Sequence, residues 1–320
     1  MRGSRKPKER WQVLEYNMDR ILRLESRNVT FRHISREEAR QILDSRFSLH
    51  QLEDYFPLFE QYRRPDMAGK FVNLDFSQLY HLACIEQELL PILMQMCIGI
   101  EGALRLWLVN KLEKTADAEA FLQAYYASDQ TYLDQIYAPE RIDALEELTE
   151  GSLFLTRDIW TVLKAIHFGT LIKMIQFLHH TYTGKAHSTD LLPYLKQLDA
   201  VRKIRNTVAH GNSVLAKLPV KADDAADCAL RAKIGLLGIK NRALTTNLQK
   251  SVVQELCGLL WVYARMVPEH QAVLARLGHF DQEICDRYSS FFSTNSMLMS
   301  VYTFLKSVAV ALLGGRGEKI

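Results

Sequence analysis

Little in this sequence breaks a helix. Prolines number 8 and glycines 15 among 320 residues, and convincing alternating strand patterns are few, so most of the chain is free to run in helical periods. Cysteine is sparse too. The five present, at 84, 97, 228, 257 and 285, form no Cys-x-x-Cys pair and no grouping with metal-ligand spacing. That excludes a zinc ribbon or a disulfide framework and fits reduced thiols in the cytoplasm. His179, His180 and His187 lack the Cys or carboxylate spacing that would complete a metal site. They are expected on the surface or in loops, with no metal and no cofactor.

An excess of one charge sign is also missing. Forty Lys and Arg face 37 Asp and Glu, a net of +3, which gives no global pull toward nucleic acid or membrane. A local surplus sits at the start, where Arg2, Arg5, Lys6, Lys8 and Arg10 face only Glu9. Such an arm can lie along phosphates or simply be solvated. No apolar core follows it, so no secretory signal is expected. Clean apolar runs of about 18 residues are lacking as well. Residues 89–109 contain Glu101 and Arg105, and residues 297–313 contain Lys306 and several hydroxyls. Both are expected as buried helices, with no membrane span.

What remains is helical nearly throughout, which makes the fold class all-α. Ser35 and Glu38 make a capping-box signature for a helix starting near 36. Leu49–Tyr62 ends in Arg63-Arg64-Pro65. A long helical region spans Leu74–Lys111, with Pro91 expected to mark a first turn or a kink. Shorter helices are expected over 117–136 and 139–150, then one over 157–182. After the loop TGKAHSTD, another begins near 190, with Ser188 or Thr189 as its N-cap, and continues to 210. Periodicity weakens over 216–246, around Pro219, Asp223-Asp224, Gly235 and Gly238. A strong amphipathic helix returns over 248–266, and helical sequence runs on to a GGRGEKI tail. Trp107, Trp160 and Trp261 fall on apolar faces and are expected in the core. The chain thus divides into a basic arm with helices (1–65), a helical core (66–215), an insertion or hinge (216–246) and C-terminal helices completing the bundle (247–320).

The stretch VRKIRNTVAHGNS at 201–213 invites a chemical reading. Arg-x(4–6)-His alone means little, because Arg27 to His33 and Arg265 to His270 match it too. Leu191, Leu195, Leu198, Val201, Arg205 and Val208, however, share one helix face, with Arg205 where an aliphatic residue is expected. An inward guanidinium needs a partner or a wet cleft. A continuous helix would set Arg205 and His210 about 140° apart around the axis and about 7.5 Å apart along it. Gly211 is a natural C′ residue. One copy of this pair makes a thin site; two copies across a symmetric interface would make a fuller one.

LDAVRKIRNTVAHGN resembles the RNxxxH signature of HEPN domains, and the chain resembles abortive-infection proteins of the AbiD/AbiF type. Three further stretches match that family in order: FVNLDFSQLYHL at 71–82, GIEGALRLWL at 99–108 and HFGTLIKM at 167–174. The likeness covers about residues 50–215. It implies a HEPN-type helical bundle, extended at both ends, that cleaves RNA without metal as a homodimer with a composite site. RNA supplies its own nucleophile, the 2′-hydroxyl. His210 would act as general base or acid, Arg205 would hold the scissile phosphate, and Asn206 would orient the imidazole or cap the backbone. The products would be a 2′,3′-cyclic phosphate and a 5′-hydroxyl.

In supporting roles, Glu101 either pairs with Arg105 along the helix or reaches Arg205. Lys196, Arg202 and Lys203 would steer a phosphate backbone or form a solvated face. Where family members often carry another polar or basic residue after the His, this chain has Gly211-Asn212, so Asn212 either substitutes or does not contribute. A toxin or effector of phage defence would also need restraint, supplied by an antitoxin RNA or protein or by activation only during phage infection. Two other readings stand beside this one: a non-catalytic dimer that binds RNA or protein and uses the motif structurally, and membrane-directed toxicity through 297–313.

Overall fold

The computed structural model describes residues 19–136, 149–222, 228–268, 270–293 and 295–314. The basic arm at 1–10, nearly all of the helix expected over 139–150, Asp223-Asp224 and the tail from 315 lie outside them. In chain order the helices are α1 (Arg20–Ser26), α2 (Arg36–Ser45), α3 (Leu49–Glu53), α4 (Phe76–Thr115), α5 (Ala118–Leu133), α6 (Glu150–Thr156), α7 (Ile159–Ala165) and α8 (Phe168–His180). They continue with α9 (Leu195–Ala209), α10 (Cys228–Gly235), α11 (Asn241–Asn247), α12 (Ser251–Met266), α13 (Gln271–His279), α14 (Asp286–Phe292) and α15 (Ser296–Leu313). Among the described residues β-structure is limited to isolated bridges such as Thr30–Asp75. The fold is all-α.

The axis of the bundle is α4, 40 residues long and about 60 Å from end to end. It continues through Pro91 as one helix; the split into two there, one of the two outcomes expected, does not occur. A proline inside a helix removes one backbone bond and costs about 3 kcal/mol. Apolar contacts on both sides outweigh that cost: Leu82, Ile92, Leu93, Met96 and Cys97 are all buried. Its start is fixed by Asp75 in a capping box with Gln78. Asp75 also accepts bonds from the Ser77 hydroxyl (2.6 Å), the Arg32 amide (2.7 Å) and the Thr30 hydroxyl (2.9 Å). These tie the N-terminal helices to the head of α4.

Several elements depart from the sequence expectation. The stretch 157–182 forms two helices, α7 and α8, because Ile166 and His167 are extended. The buried Glu150 carboxylate takes the His167 amide (2.6 Å), the His167 ring Nδ1 (2.8 Å) and the Thr170 hydroxyl (2.5 Å), and so holds the new start of α8. The helix expected from 190 begins at Leu195, after a 3₁₀ turn over Leu192–Tyr194 that contains Pro193. Trp261 is buried and Trp107 is half-buried against the core, but Trp160 is 47% exposed. It turns outward from α7 to bond Glu113 of α4 through its indole N–H at 2.9 Å.

By length and composition alone, α4 and α15 are each apolar enough to cross a bilayer. In α4 that apolarity builds the core. In α15 only 22% of the most apolar window is buried, so it is an amphipathic outer helix resting on Val301, Phe304 and Val308, not the buried helix expected. The capping box of Ser35 and Glu38 is present as read.

Burial by itself raises the carboxyl of Asp75, but the bonds from Ser77, Arg32 and Thr30 outweigh it and hold that carboxyl below the usual range. A depressed carboxylate contributes stability above its unfolded pKa, near 3.9, and loses it as pH falls through the folded value. Asp75→Ala should therefore cost about 2–4 kcal/mol at pH 7 in urea denaturation. The gap between wild type and variant should shrink below about pH 4.

Candidate active site at the end of α9

Two buried flanks explain why residues 195–209 form a helix and why it lies where it does. One flank, Leu198 and Val201, faces α4, where the Cys97 thiol lies 3.9 Å from the Val201 carbonyl. The other, Gln197, Ala200 and Ile204, faces α12, which comes close because Gly258 has no side chain. A Cβ there would meet Ala200 Cβ at 3.4 Å and Gln197 Cγ at 3.5 Å. Leu198, Val201 and Ile204 are 1% exposed or less.

The helix ends in a Schellman turn. Gly211 adopts φ of 65°, its amide bonds the Val208 carbonyl at 3.0 Å, and the Asn212 amide bonds the Thr207 carbonyl at 3.0 Å. A left-handed backbone favours glycine strongly here. His210 is the C-cap and is exposed, and its ring makes no hydrogen bond among the described residues. Asn212, just beyond, is exposed as well.

Arg205 is half-buried on the α4 side. Burial pushes the Cys97 thiol up to about 12, Arg205 pulls against that rise and Glu101 adds to it. Arg205, Cys97 and Glu101 thus share one neighbourhood. Arg205 nevertheless forms no salt bridge among the described residues; its Nη1 donates to Asn206 Oδ1 at 3.4 Å. Glu101 pairs instead with Arg105, one turn along α4, at 2.6 Å, and Arg105 also reaches the Ile166 carbonyl at 3.4 Å. Because the chain stays helical through Ala209, Arg205 and His210 point about 140° apart. Their Cα–Cβ directions thus diverge, while the Arg205 guanidinium bends toward Asn206, on the His210 side.

His210 instead continues the face that carries Lys203, Asn206 and Thr207. Those residues line an open cleft of about 290 Å³ between α9 and the first turns of α12, together with Arg202, Lys217 and Glu255. Arg202 bonds Asp199 at 2.7 and 3.0 Å, Lys203 reaches the same carboxylate at 3.4 Å, and Lys217 donates to the Thr207 hydroxyl at 2.7 Å. Burial raises the Glu255 carboxyl, against the pull of Lys203 and Lys217. Lys196 is exposed near the other end of α9 and does not line the cleft.

Two supporting residues, Glu86 and Lys217, escaped the sequence reading, and a third, His179, lies elsewhere than expected. Glu86, buried within α4, accepts from the Tyr55 hydroxyl (2.5 Å) and from the amides of Val214 and Leu215 (2.9 Å for Leu215). It therefore clamps the chain four residues after His210. Lys217 completes the cleft. His179 is buried, not on the surface as expected. Since the Leu191 amide donates to its Nε2 at 3.1 Å, its Nδ1 must carry the proton given to the Ile175 carbonyl at 2.7 Å. Burial lowers its pKa, which keeps it the neutral pin that leads the chain into α9. His180 and His187 are exposed. Among the described residues no group of three or more His, Cys, Asp or Glu could hold a metal ion.

A family model described as Abi-like protein matches residues 43–216, just over half the chain. No curated protein and no solved structure matches it.

Glu86→Ala should leave two buried amides unpaired and cost about 3 kcal/mol in denaturant unfolding. Amide exchange at Val214 and Leu215 should quicken in that variant. Glu86→Gln, which keeps one acceptor oxygen, should lose less.

Proposed function

The chain belongs to the Abi-like protein family, and on that premise we propose that it is a HEPN-type endoribonuclease of the AbiD/AbiF kind, acting in abortive infection of phage-challenged cells. Membership supports the role in abortive infection. The cleavage chemistry is our reading of the site, carried by one observation. Arg205 reaches the last turn of α9 half-buried with no carboxylate neutralising it, and His210 caps that turn exposed and free of hydrogen bonds among the described residues.

In this reading an imidazole takes the proton of the RNA 2′-hydroxyl, the 2′-oxygen attacks phosphorus, and the bond to the 5′-oxygen breaks. The leaving oxygen gains a proton, giving a 2′,3′-cyclic phosphate and a 5′-hydroxyl. Arg205 meets the charge that gathers on the non-bridging oxygens, and Asn206, already bonded to it, fixes its orientation. Since one chain sets Arg205 and His210 about 140° apart, the site is composite: two copies of α9 face one another across a two-fold axis. Arg202, Lys203 and Lys217 hold flanking phosphates in the adjoining cleft. The protein works in the cytoplasm and is restrained by an antitoxin RNA or protein until infection.

The same divergence favours a second reading, a non-catalytic dimer in which the motif braces an interface. Cleavage assays separate the two. His210→Ala and Arg205→Ala should each lower RNA cleavage at least about 100-fold while the dimer persists. A substrate with a single 2′-deoxy sugar at the cut site should resist the wild type. Undiminished cleavage by a folded His210→Ala dimer would remove the motif from catalysis.

A further inference from the structure

A second, partly open cavity of about 400 Å³ lies between α4, α12, α13 and α15, with Leu215 and Leu218 also in its wall. Its walls are almost wholly apolar; Leu82, Leu93, Leu256, Leu274 and Val301 are typical. Most of these helices fall outside the family match, which ends at residue 216. Protein interiors pack densely, with few voids larger than a water molecule, and a hydrocarbon-lined space offers water no partners. A cavity this size falls within the range of small-molecule sites, which pair apolar walls with a few placed polar groups.

The polar groups here are confined to one edge. Asp281 pairs with Lys306 of α15 at 2.6 Å and also accepts the Tyr302 hydroxyl. Asp281 reaches that position from a π-helix over Phe280–Cys285, inserted between α13 and α14. Such inserts are uncommon and recur at functional sites.

We infer that this cavity binds a small neutral amphipath, an apolar chain or ring body with one uncharged hydrogen-bonding end such as a hydroxyl, ester or amide. The apolar walls take the body. The Asp281–Lys306 pair at the cavity edge, already mutually neutralised, offers hydrogen bonds to the end group, while a charged head would compete with one member of the pair and lose hydration beside the apolar walls.

The test uses the full chain with three ten-carbon probes in titration calorimetry and thermal melting: 1-decanol, decanoate and decyltrimethylammonium. One equivalent of 1-decanol should bind and raise Tm by about 4 °C at a hundredfold excess over Kd. The two charged probes should bind roughly tenfold more weakly or worse. Ala309→Trp places a large side chain in the cavity from α15 and should abolish binding with helix content intact by circular dichroism. Should that variant misfold, Ala309→Phe decides the point by weakened binding. The inference falls if 1-decanol shows no saturable binding, if a folded Ala309 variant binds as the wild type does, or if the charged probes bind as tightly. None of these readouts depends on RNA cleavage.

Discussion

The Glu86 carboxylate joins three parts of the chain that lie far apart in sequence. It is buried in α4 and takes a hydroxyl from Tyr55, near the N-terminal helices, and two backbone amides from Val214 and Leu215, just past the motif. A buried carboxylate without donors is strongly unfavourable, and hydrogen bonds to a charged group contribute about 1.5–3 kcal/mol each. The chain leaving α9 is therefore held at both ends. The Schellman turn at Gly211 closes the helix, and Glu86 fixes the following turn over Leu215–Lys217. Between these anchors His210 is presented at a defined place on the surface, although it makes no side-chain bond of its own among the described residues.

The same logic recurs at two of the three further family-like segments. Asp75, at the head of α4, gathers Thr30, Arg32 and Ser77. Glu150, fully buried, gathers His167 and Thr170 at the head of α8. Each is a carboxylate at or beside a helix N-terminus, where unpaired amides and the helix dipole favour negative charge. With His179 pinning Leu191, they orient α4, α8 and the approach to α9, and so set the direction in which Arg205 and His210 point. The C-terminal helices, together with α4 and with Leu215 and Leu218 just past the motif, line an apolar cavity.

What the sequence made legible was local. Helical period, the Ser35–Glu38 box and the terminating glycine at 211 each depend on neighbours within one or two turns, and each stands as read. The inward line through Leu198, Val201 and Arg205 also holds, with Arg205 at its half-buried end. What could not be read locally came from distant partners. Ile166 and His167 contain no breaker, yet the chain breaks there because Glu150 competes for the His167 amide. Pro91 is a breaker, yet α4 continues because both of its halves are buried. Trp160 looks like core until Glu113 offers its indole a partner outside. Glu86 carried a faint signal, a charge in line with Leu82 on an apolar helix, but its partners lie 31 and 128 residues away. Glu101 and Arg105 settle into the i, i+4 pair that spacing allowed.

In the proposed composite site one chain holds only half of the machinery, since Arg205 and His210 leave α9 about 140° apart. The most direct measurement mixes Arg205→Ala chains with His210→Ala chains, each inactive alone, and follows RNA cleavage after native mass spectrometry confirms subunit exchange. If two chains build each site, half the dimers are mixed and one of their two sites is intact, so activity should return to about a quarter of wild type. A fully exchanged mixture as inactive as its parents would contradict the composite site.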